Sequence, residues 1–226
     1  MRHLFLLAAL FCACISYAQI RVQERLPKSK TGFALTTAKT RAKIYYDVND
    51  ALVIKRSAEL FARDIQMVTG QKPELIQKRE RAKALVIVGT IEKNQWICEL
   101  AQKGKIDIRP LQGAWERYLI QTVDNPSPGV AKALVIAGSD RRGAAYGLFS
   151  ISEMMGVSPW YWWGDVPVKT HKALYVDAPP TYSKTPSVKY RGIFLNDEDW
   201  GLKPWAAKTF EKERGNIGPR SEEHTS

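Results

Sequence analysis

Apolar residues recur at helical spacing between positions 51 and 68 of the chain. They lie three or four positions apart, the period of a helix that buries one face: Ala51, Ile54, Ala58, Phe61, Ile65 and Val68. Asn49 and Asp50 before this run are suitable amino-terminal caps, and Gly70 after it is a common stop signal. The pattern predicts an amphipathic helix that follows a short strand at residues 43–46.

Two segments that nearly repeat each other predict buried strands. AKALVIVGT at residues 82–90 and AKALVIAGS at residues 131–139 are continuous apolar runs, each ending in glycine and a hydroxyl residue. A run without alternation is typical of a strand that is covered on both faces. We interpret the pair as one local solution used twice: a strand, a turn and a helix.

Helices that complete these two units are predicted at residues 92–102 and 144–155. In the first, Trp96 and Leu100 have the spacing of an inward-facing pair. In the second, Gly156 is the expected stop.

A further strand is predicted at residues 115–123, where polarity alternates more, and this favours a position near a sheet edge. Strands and helices therefore alternate along the chain, as in α/β proteins. The sequence predicts an N-terminal domain over residues 19–182, built from a mixed sheet with packed helices.

The start of the chain is predicted to lie outside this domain. An apolar run from Leu4 to Ile15 follows a basic start, and small residues at positions 16–18 complete the pattern of a signal peptide over residues 1–18. The run is too short to span a bilayer, so we expect export, either to the periplasm or out of the cell. Lipid attachment at Cys12 or Cys14 is the alternative, although neither lies in a good lipobox.

The end of the chain is also predicted to lie outside the domain. RSEEHTS at residues 220–226 matches the translation of a common short-read sequencing adapter. We interpret it as an artefact and expect the natural reading frame to continue, which makes this chain a fragment. A native polar tail is the alternative.

Composition limits the chemistry that the chain can support. Its 34 Lys and Arg and 23 Asp and Glu give a formal net charge of +11, but cations and acids are interleaved. That distribution favours a solvated basic surface over a nucleic-acid site. Outside residues 1–18 and 220–226, His171 is the only histidine and Cys98 the only cysteine. A histidine metal cluster, a disulfide and a nucleophile–histidine pair are therefore not predicted.

The turn after the second repeat has the glycine spacing of a phosphate-binding loop, GSDRRGAA at residues 138–145. Two alanines stand where such a loop needs Lys and Ser or Thr, so a nucleotide site is not predicted. We interpret Ser139 or Asp140 as the cap of the next helix. Gly143 and Gly147 are interpreted as positions of close packing on the sheet.

Carboxylates remain the one plentiful catalytic group, and they cluster in NDED at residues 196–199, after the apolar segment Val188–Leu195. Strand alternation would point the two aspartates to one side and Asn196 and Glu198 to the other. Acids at the carboxyl end of a barrel strand lie where barrel enzymes keep their sites. On spacing alone, an acidic turn that caps a following helix is an equal alternative. An EF-hand loop fits poorly, because its glycine and its last glutamate are not in place.

Two long blocks resemble the family 115 glycoside hydrolases, which are xylan α-1,2-glucuronidases. They are GSDRRGAAYGLFSISEMMGVSPWYWWGDVPV and PSVKYRGIFLNDEDWGLKPWAAKTFEKERGNIGP, and the likeness is strong over about residues 135–219 and looser over residues 43–90. The family has an N-terminal α/β domain, similar to the small domain of β-hexosaminidases, before a (β/α)8 catalytic barrel. The resemblance implies that Val188–Leu195 is the first strand of that barrel. Residues 186–219 would then be the start of the barrel, which is truncated in this chain.

The same resemblance implies the activity and the site. The family removes glucuronic acid or 4-O-methylglucuronic acid from xylan by inverting hydrolysis, which needs two carboxyl groups. It places Asn196, Asp197 and Glu198 at the sugar-binding end of the barrel and the general acid and base on later strands, so this fragment alone should be inactive. No cofactor or metal is implied. The implied partner is glucuronoxylan or its oligosaccharides, with no nucleic acid or membrane span, and a homodimer of the full-length protein is left open.

The aromatic stretch SPWYWWGDVP, residues 158–167, allows two interpretations. Aromatic rings stack on sugars, so Trp160–Trp163 could form a carbohydrate surface. The resemblance favours a seam against the barrel, with Asp165 facing the cleft. The competing function is a stand-alone, non-catalytic module that binds acidic polysaccharide through the tryptophans and the basic surface.

Overall fold

The computed structural model describes residues 19–161, 164, 166–192, 194 and 204–205. Its helices within this part are α1 (Leu52–Thr69), α2 (Gln95–Gln102) and α3 (Arg141–Met154), with a 3-10 turn at Arg109–Leu111. Its strands are β1 (Arg21–Gln23), β2 (Gly32–Thr36), β3 (Lys43–Tyr46), β4 (Leu75–Ile76), β5 (Ala82–Thr90), β6 (Tyr118–Ser127), β7 (Val130–Gly138), β8 (Leu174–Asp177) and β9 (Thr181–Tyr182).

A six-stranded sheet organises the domain, in the order β4-β3-β5-β7-β6-β9. Strands β4, β3, β5 and β7 run parallel, whereas β6 is antiparallel to β7, and β9 is antiparallel to β6. A smaller antiparallel sheet has the order β1-β8-β2. The predicted mixed sheet with packed helices is therefore confirmed.

The two repeated segments form the neighbouring strands β5 and β7, and they pair one residue out of step. Val86 lies opposite Leu134 and not opposite Val135, which holds the same place in the repeat. Because side chains alternate between the faces of a strand, equivalent residues face opposite sides. Val86 lies in the core cluster with α1 and α3, whereas Val135 lies in the cluster with α2. Continuous apolar runs permit this slip, since neither face of the strand carries polar residues into a core.

Helix α1 agrees with the predicted range within one residue at each end, and Gly70 ends it in the left-handed conformation with φ 72°. Its predicted caps were wrong. Ala51 is the cap residue and makes no side-chain capping bond. The Asp50 carboxylate instead accepts a hydrogen bond from the Thr90 backbone N–H at 2.7 Å, because the end of β5 lies beside it.

The helices after the two repeats begin at well-formed caps. Asn94 Oδ1 accepts from the N–H groups of Trp96 and Ile97, both at 3.1 Å, so α2 begins three residues later than predicted. Trp96 and Leu100 are buried, as predicted. Asp140 caps α3 by accepting from the N–H groups of Arg142 and Gly143. One of the two predicted caps is thereby confirmed.

Close packing of α3 on the sheet is also confirmed. A Cβ atom at Gly143 would lie 2.2 Å from the carbonyl oxygen of Arg117, and one at Gly147 would lie 2.6 Å from Ile136 Cγ2. Any side chain at these two positions would therefore push the helix away from the sheet.

The strand predicted at residues 115–123 is observed at Tyr118–Ser127 as β6. It begins late because Glu116 adopts φ 54°, which is incompatible with an extended strand. Strand β6 lies one position from the edge of the sheet and is followed there only by β9, in agreement with the prediction.

The predicted strand Val188–Leu195 is not observed in its described residues. Residues 188–192 and 194 have irregular structure and pair with none of the described strands. A strand is stabilised by its neighbours, and the barrel strands that would flank this segment have no counterpart among the described residues. Within the described part of the chain, none of the helices is both long and apolar enough to cross a bilayer.

Candidate functional site

Asn196, Asp197 and Glu198, the predicted sugar-binding residues, lie outside the described residues, as do Trp162, Trp163 and Asp165. The nearest described part of the predicted site is the segment 188–192, which leads directly to the three residues. The contacts of this segment with the α/β domain are therefore the described part of the candidate site.

Polar side chains gather at the carboxyl ends of β3 and β5, the edge at which open α/β sheets commonly bind ligands. Asp47 accepts from the N–H groups of Asn49 at 3.0 Å and Gln95 at 3.3 Å. Asp50 accepts from Thr90, through both its N–H and its hydroxyl group. These carboxylates are engaged by neighbouring loops, so at this point of the edge they hold the turns together.

A different arrangement exists at the carboxyl end of β7, around Glu116. Its side chain is only 5% exposed, and two arginines neutralise its carboxylate. Arg142 Nη1 donates to Glu116 Oε1 at 2.7 Å, and Arg191 Nη2 donates to Glu116 Oε2. A carboxylate this deeply buried requires such partners, because an unpaired charge would carry a large desolvation penalty.

The backbone around Glu116 is held by the end of β7. The Glu116 N–H donates to Asp140 Oδ2 at 2.7 Å, and the Arg117 N–H donates to Ser139 Oγ at 3.0 Å. Since the other carboxylate oxygen of Asp140 caps α3, one side chain joins the helix start to the turn that presents Glu116. The left-handed conformation of Glu116 is thus fixed from two sides.

Arg191 connects this turn to the segment before the predicted sugar-binding residues. It donates from Nη1 to the carbonyl oxygen of Val188 at 2.7 Å and from Nη2 to Tyr146 Oη at 3.3 Å. Its guanidinium lies 5.9 Å from the centre of the Trp115 ring. The hydrogen bond to Glu116 raises the pKa of Arg191 above its ordinary value. Arg191 is therefore a permanent cation between the α/β domain and the following segment.

We name Trp115, Glu116, Arg142, Tyr146 and Arg191 the Glu116 cluster. The sequence analysis missed its ionic members. Glu116 and Arg191 are separated by 75 positions, and no motif or periodicity links them.

The described part of the aromatic stretch contacts the α/β domain. Tyr161 packs against the core cluster formed with α1 and α3, and Arg63 lies 5.9 Å from its ring centre. A groove of about 410 Å³ runs between these helices beside Tyr161, and burial raises the pKa of the Asp64 carboxyl in its wall. Trp160 is 60% exposed. Tyr161 is thus held by the α/β domain itself, and Trp160 keeps the exposure that a sugar platform or a seam against a barrel needs.

The opposite end of the sheet carries a basic groove, lined at its rim by Arg81, Lys83, Lys103 and Lys105. The groove encloses about 760 Å³ beside the hairpin between β6 and β7, and its lining contains no acidic residue. Lys105 Nζ donates to the carbonyl oxygens of Asp124 and Asn125, which braces the hairpin. An anion would meet an excess of positive charge there.

The remaining candidate groups have structural contacts. Cys98 donates from Sγ to the carbonyl oxygen of Ile91 at 3.3 Å, and burial raises its pKa, which disfavours the nucleophilic thiolate. His171 Nδ1 lies 2.9 Å from Glu24 Oε1. Among the described residues no group of three or more His, Cys, Asp or Glu is arranged to hold a metal ion.

Comparison with known proteins points to carbohydrate-active enzymes. The sequence profile described as Glycosyl hydrolase family 115 matches residues 183–224. The match contains Arg191 and the predicted sugar-binding residues, and it extends into the segment 220–226. Comparison with curated proteins gave no match.

A solved structure, BtGH115A, is similar over most of this chain. It is a family GH115 4-O-methyl-α-glucuronidase with specificity for decorated arabinogalactans. The two proteins are 34% identical with a TM-score of 0.62, and the match covers 79% of this chain and 22% of that chain. This chain therefore spans about a fifth of the length of BtGH115A.

Two further solved structures are less similar. CpGH84D is 10% identical, with 71% of this chain and 22% of that chain covered and a TM-score of 0.43. A GH20 β-N-acetylhexosaminidase from Streptomyces coelicolor A3(2) is 13% identical, with 75% and 25% covered and a TM-score of 0.37. Likeness at this level supports no conclusion about function.

Proposed function

Since the chain belongs to glycosyl hydrolase family 115, we propose that the whole protein is a glycoside hydrolase that removes glucuronic acid or 4-O-methylglucuronic acid side chains from xylan. The observation that carries the proposal is the family match over residues 183–224, which contains the NDE motif. The similarity to a 4-O-methyl-α-glucuronidase at 34% identity supports the same reaction class.

The reaction is proposed to invert the configuration at the sugar. An inverting hydrolase places a general acid and a general base roughly 6.5–9.5 Å apart, so that a water molecule fits between the base and the sugar. We assign Asn196, Asp197 and Glu198 to hydrogen bonding of the sugar. The acid and base are assigned to parts of the protein beyond this chain, because the chain spans 22% of the related enzyme. This chain alone is then inactive.

The polysaccharide that carries the side chain has two candidates. Xylan is the substrate that the family resemblance implies, whereas BtGH115A has specificity for decorated arabinogalactans. Glucuronic acid linked to either backbone presents the same carboxylate and hydroxyl groups to the residues that bind the sugar. The backbone preference is therefore assigned to contacts outside the NDE motif.

Export is part of the proposal, because these polysaccharides are too large to enter a cell. It is supported by the apolar run Leu4–Ile15 and the small residues that follow it. Expression of the full-length gene with fractionation of the culture should place the protein outside the cytoplasm, with Gln19 as its first residue. Retention of residues 1–18 in a cytoplasmic fraction would contradict this.

The activity is tested on the full-length protein with 4-O-methylglucuronoxylan and a glucuronidated arabinogalactan as parallel substrates. Released uronic acid measures turnover, and proton NMR of the first product gives its anomeric configuration. Asp197→Ala should lower kcat/KM at least about tenfold, equivalent to about 1.4 kcal/mol of transition-state stabilisation. Glu153→Ala, at an exposed acid of α3, is the matched control and should leave turnover unchanged. Unchanged turnover of the Asp197 variant would remove Asp197 from the site.

Non-catalytic binding of acidic polysaccharide is a second candidate function, and the basic groove favours it. Four cations line this groove of about 760 Å³, without an acid in the lining. Glucuronate carboxylates along a polysaccharide would neutralise these cations, with an affinity that falls as salt screens the charges.

Affinity electrophoresis of this chain in gels containing glucuronoxylan or neutral arabinoxylan tests the second function. Removal of two groove cations, Lys83→Ala with Lys103→Ala, should weaken retardation by glucuronoxylan at least about tenfold, or about 1.4 kcal/mol. Lys39→Ala with Lys72→Ala removes the same charge at exposed positions outside the groove. Equal losses in the two double variants would show a net-charge effect and contradict a groove site.

A further inference from the structure

We propose that Glu116 is a positioning residue: by holding Arg191, it fixes the segment that leads from the α/β domain to Asn196, Asp197 and Glu198. The inference deepens the proposed function and rests on it, since it gives the α/β domain a part in forming the sugar-binding end. Its physical basis is the Glu116 cluster, which can be tested without any enzymatic activity.

Glu116 is much more buried than its two arginine partners, so the α/β domain holds the acid and the following segment supplies Arg191. Its carboxylate is 5% exposed, whereas Arg142 is 58% exposed and Arg191 is 34% exposed. Arg142 belongs to α3 and is present whatever the following segment does. The second carboxylate oxygen, Oε2, is engaged by Arg191. If the segment left, this oxygen would lose its charged partner, and breaking a buried ion pair in this way is unfavourable.

The cluster holds Arg191 through several independent contacts. A guanidinium group presents its donors in a rigid plane. Here one nitrogen binds Glu116 and Tyr146, while another closes onto the carbonyl oxygen of Val188 in the same segment. The Arg191 side chain thereby ties the segment to the domain, and its bond to Val188 also holds the backbone of the segment.

Arg191 is close in sequence to the predicted site, so the anchor formed by Glu116 and Arg191 can affect the position of that site. Asn196 follows Arg191 by five positions, and five residues span at most about 18 Å when fully extended. Fixing Arg191 therefore limits where the three sugar-binding residues can lie relative to the end of β7. A mobile connection would leave that placement to the barrel alone, and small misplacements of binding groups lower turnover strongly.

Limited proteolysis of this chain tests the anchor directly. Trypsin must take the Arg191 side chain into its own pocket, so the pair with Glu116 should protect the Arg191–Gly192 bond. Glu116→Gln should accelerate this cleavage at least about tenfold relative to the unmodified chain, because cleavage of a protected bond follows the population of its open form. Glu153→Gln makes the same charge change at an exposed residue of α3 and should leave the rate unchanged.

A second protease keeps the test independent of the fold of the Glu116 variant. Arg191→Gln lies after the last described strand of the α/β domain, so it should leave that domain intact while it opens the segment. Chymotrypsin should then cut faster after Tyr190, which is 87% exposed. The double variant Glu116→Gln with Arg191→Gln should be no faster than either single variant, since the two residues form one contact. Additive acceleration, or no acceleration, would overturn the anchor.

Kinetics of the full-length protein test the positioning role. Glu116→Gln should lower kcat for release of glucuronic acid at least about fivefold while Glu153→Gln does not, as expected when orientation is lost. Arg191→Lys, which keeps a cation for Glu116, should retain more activity than Arg191→Gln. Protease results as expected with unchanged kcat would overturn the positioning role. An unmodified protein that releases no uronic acid would contradict the proposed function and leave the protease result standing separately.

Discussion

The two strand–helix units built on the repeated segments differ in what their turns do. In the first, β5 ends at Thr90, where Asp50 accepts from the Thr90 N–H and Asn94 donates to the Val88 carbonyl oxygen, both within the domain. In the second, β7 ends beside Asp140, which also holds the Glu116 backbone N–H, and Glu116 reaches out to Arg191. The turn after β5 thus makes contacts only within the domain in these bonds, whereas the turn after β7 contacts the following segment, although the two strands have nearly the same sequence.

The comparison shows that the residues packed against a turn decide whether it contacts another part of the chain. At the β7 turn, those residues come from the start of β6. The β5 turn is met by the end of β3, whose acids point into the turn. The β7 turn is met by Glu116, which has a left-handed backbone and whose carboxylate contacts Arg191. Three pairs of substitutions distinguish the units experimentally.

The largest difference is expected at the equivalent glycines Gly89 and Gly138. A Cβ atom at Gly138 would lie 2.2 Å from the Ala144 backbone nitrogen, whereas one at Gly89 would meet the side chains of Asn94 and Asp50. Displacing Asn94 and Asp50 would break their hydrogen bonds at the first turn, whereas relieving the clash at Gly138 would require the backbone of α3 to move. Gly138→Ala should therefore lower the free energy of unfolding by about 3 kcal/mol, and Gly89→Ala by about 2 kcal/mol. Urea unfolding followed by circular dichroism measures both, and equal losses would contradict the difference.

An intermediate effect is expected from Val86 and Val135, which hold the same place in the repeat but face opposite cores. Truncation of either to alanine should lower the free energy of unfolding by about 2 kcal/mol, through lost burial and a small cavity. Only Val135→Ala should shift the indole N–H resonance of Trp96 in an NMR spectrum of the chain, because these two residues share one core cluster. A change of similar size in Val86→Ala would argue against the one-residue slip.

The smallest stability effect is expected at the caps Asn94 and Asp140. Alanine at either position should cost about 1 kcal/mol through loss of a helix cap. The two variants should differ in proteolysis: Asp140→Ala should also speed chymotryptic cleavage after Tyr190, since Asp140 holds the turn of Glu116. Asp140→Asn, which keeps an acceptor for the N–H groups of α3, is the control for the cap itself. Faster cleavage in Asn94→Ala would remove the distinction between the turns.

Sequence reasoning predicted the features that depend on neighbouring residues. The period of apolar residues predicted α1, and the continuous apolar runs predicted β5 and β7. Asp140 was one of two caps suggested by position alone. These features depend on spacing within one segment, which a single sequence displays directly.

Features that depend on distant partners were missed. Asp50 was predicted to cap α1, but the parallel pairing of β3 with β5 brings it to Thr90 instead. The opposite faces of the two repeats follow from the one-residue offset with which β5 pairs with β7. The contact between Glu116 and Arg191 requires the turn before β6 and a segment 75 positions later to meet. No local pattern contains that information.

The shortness of the strands at both margins of the large sheet has a consequence for self-association. Strands β4 and β9 contain two residues each, and β9 pairs with only Leu119 and Ile120 of β6. The rest of β6 has an irregular register between Asp124 and Ser127, and an irregular margin pairs poorly with another chain. Long bare margins are what permit sheets of separate molecules to merge. Copies of this domain should therefore meet through side chains such as Trp160, and a fluorescent amyloid dye should remain dark in concentrated solutions of the chain.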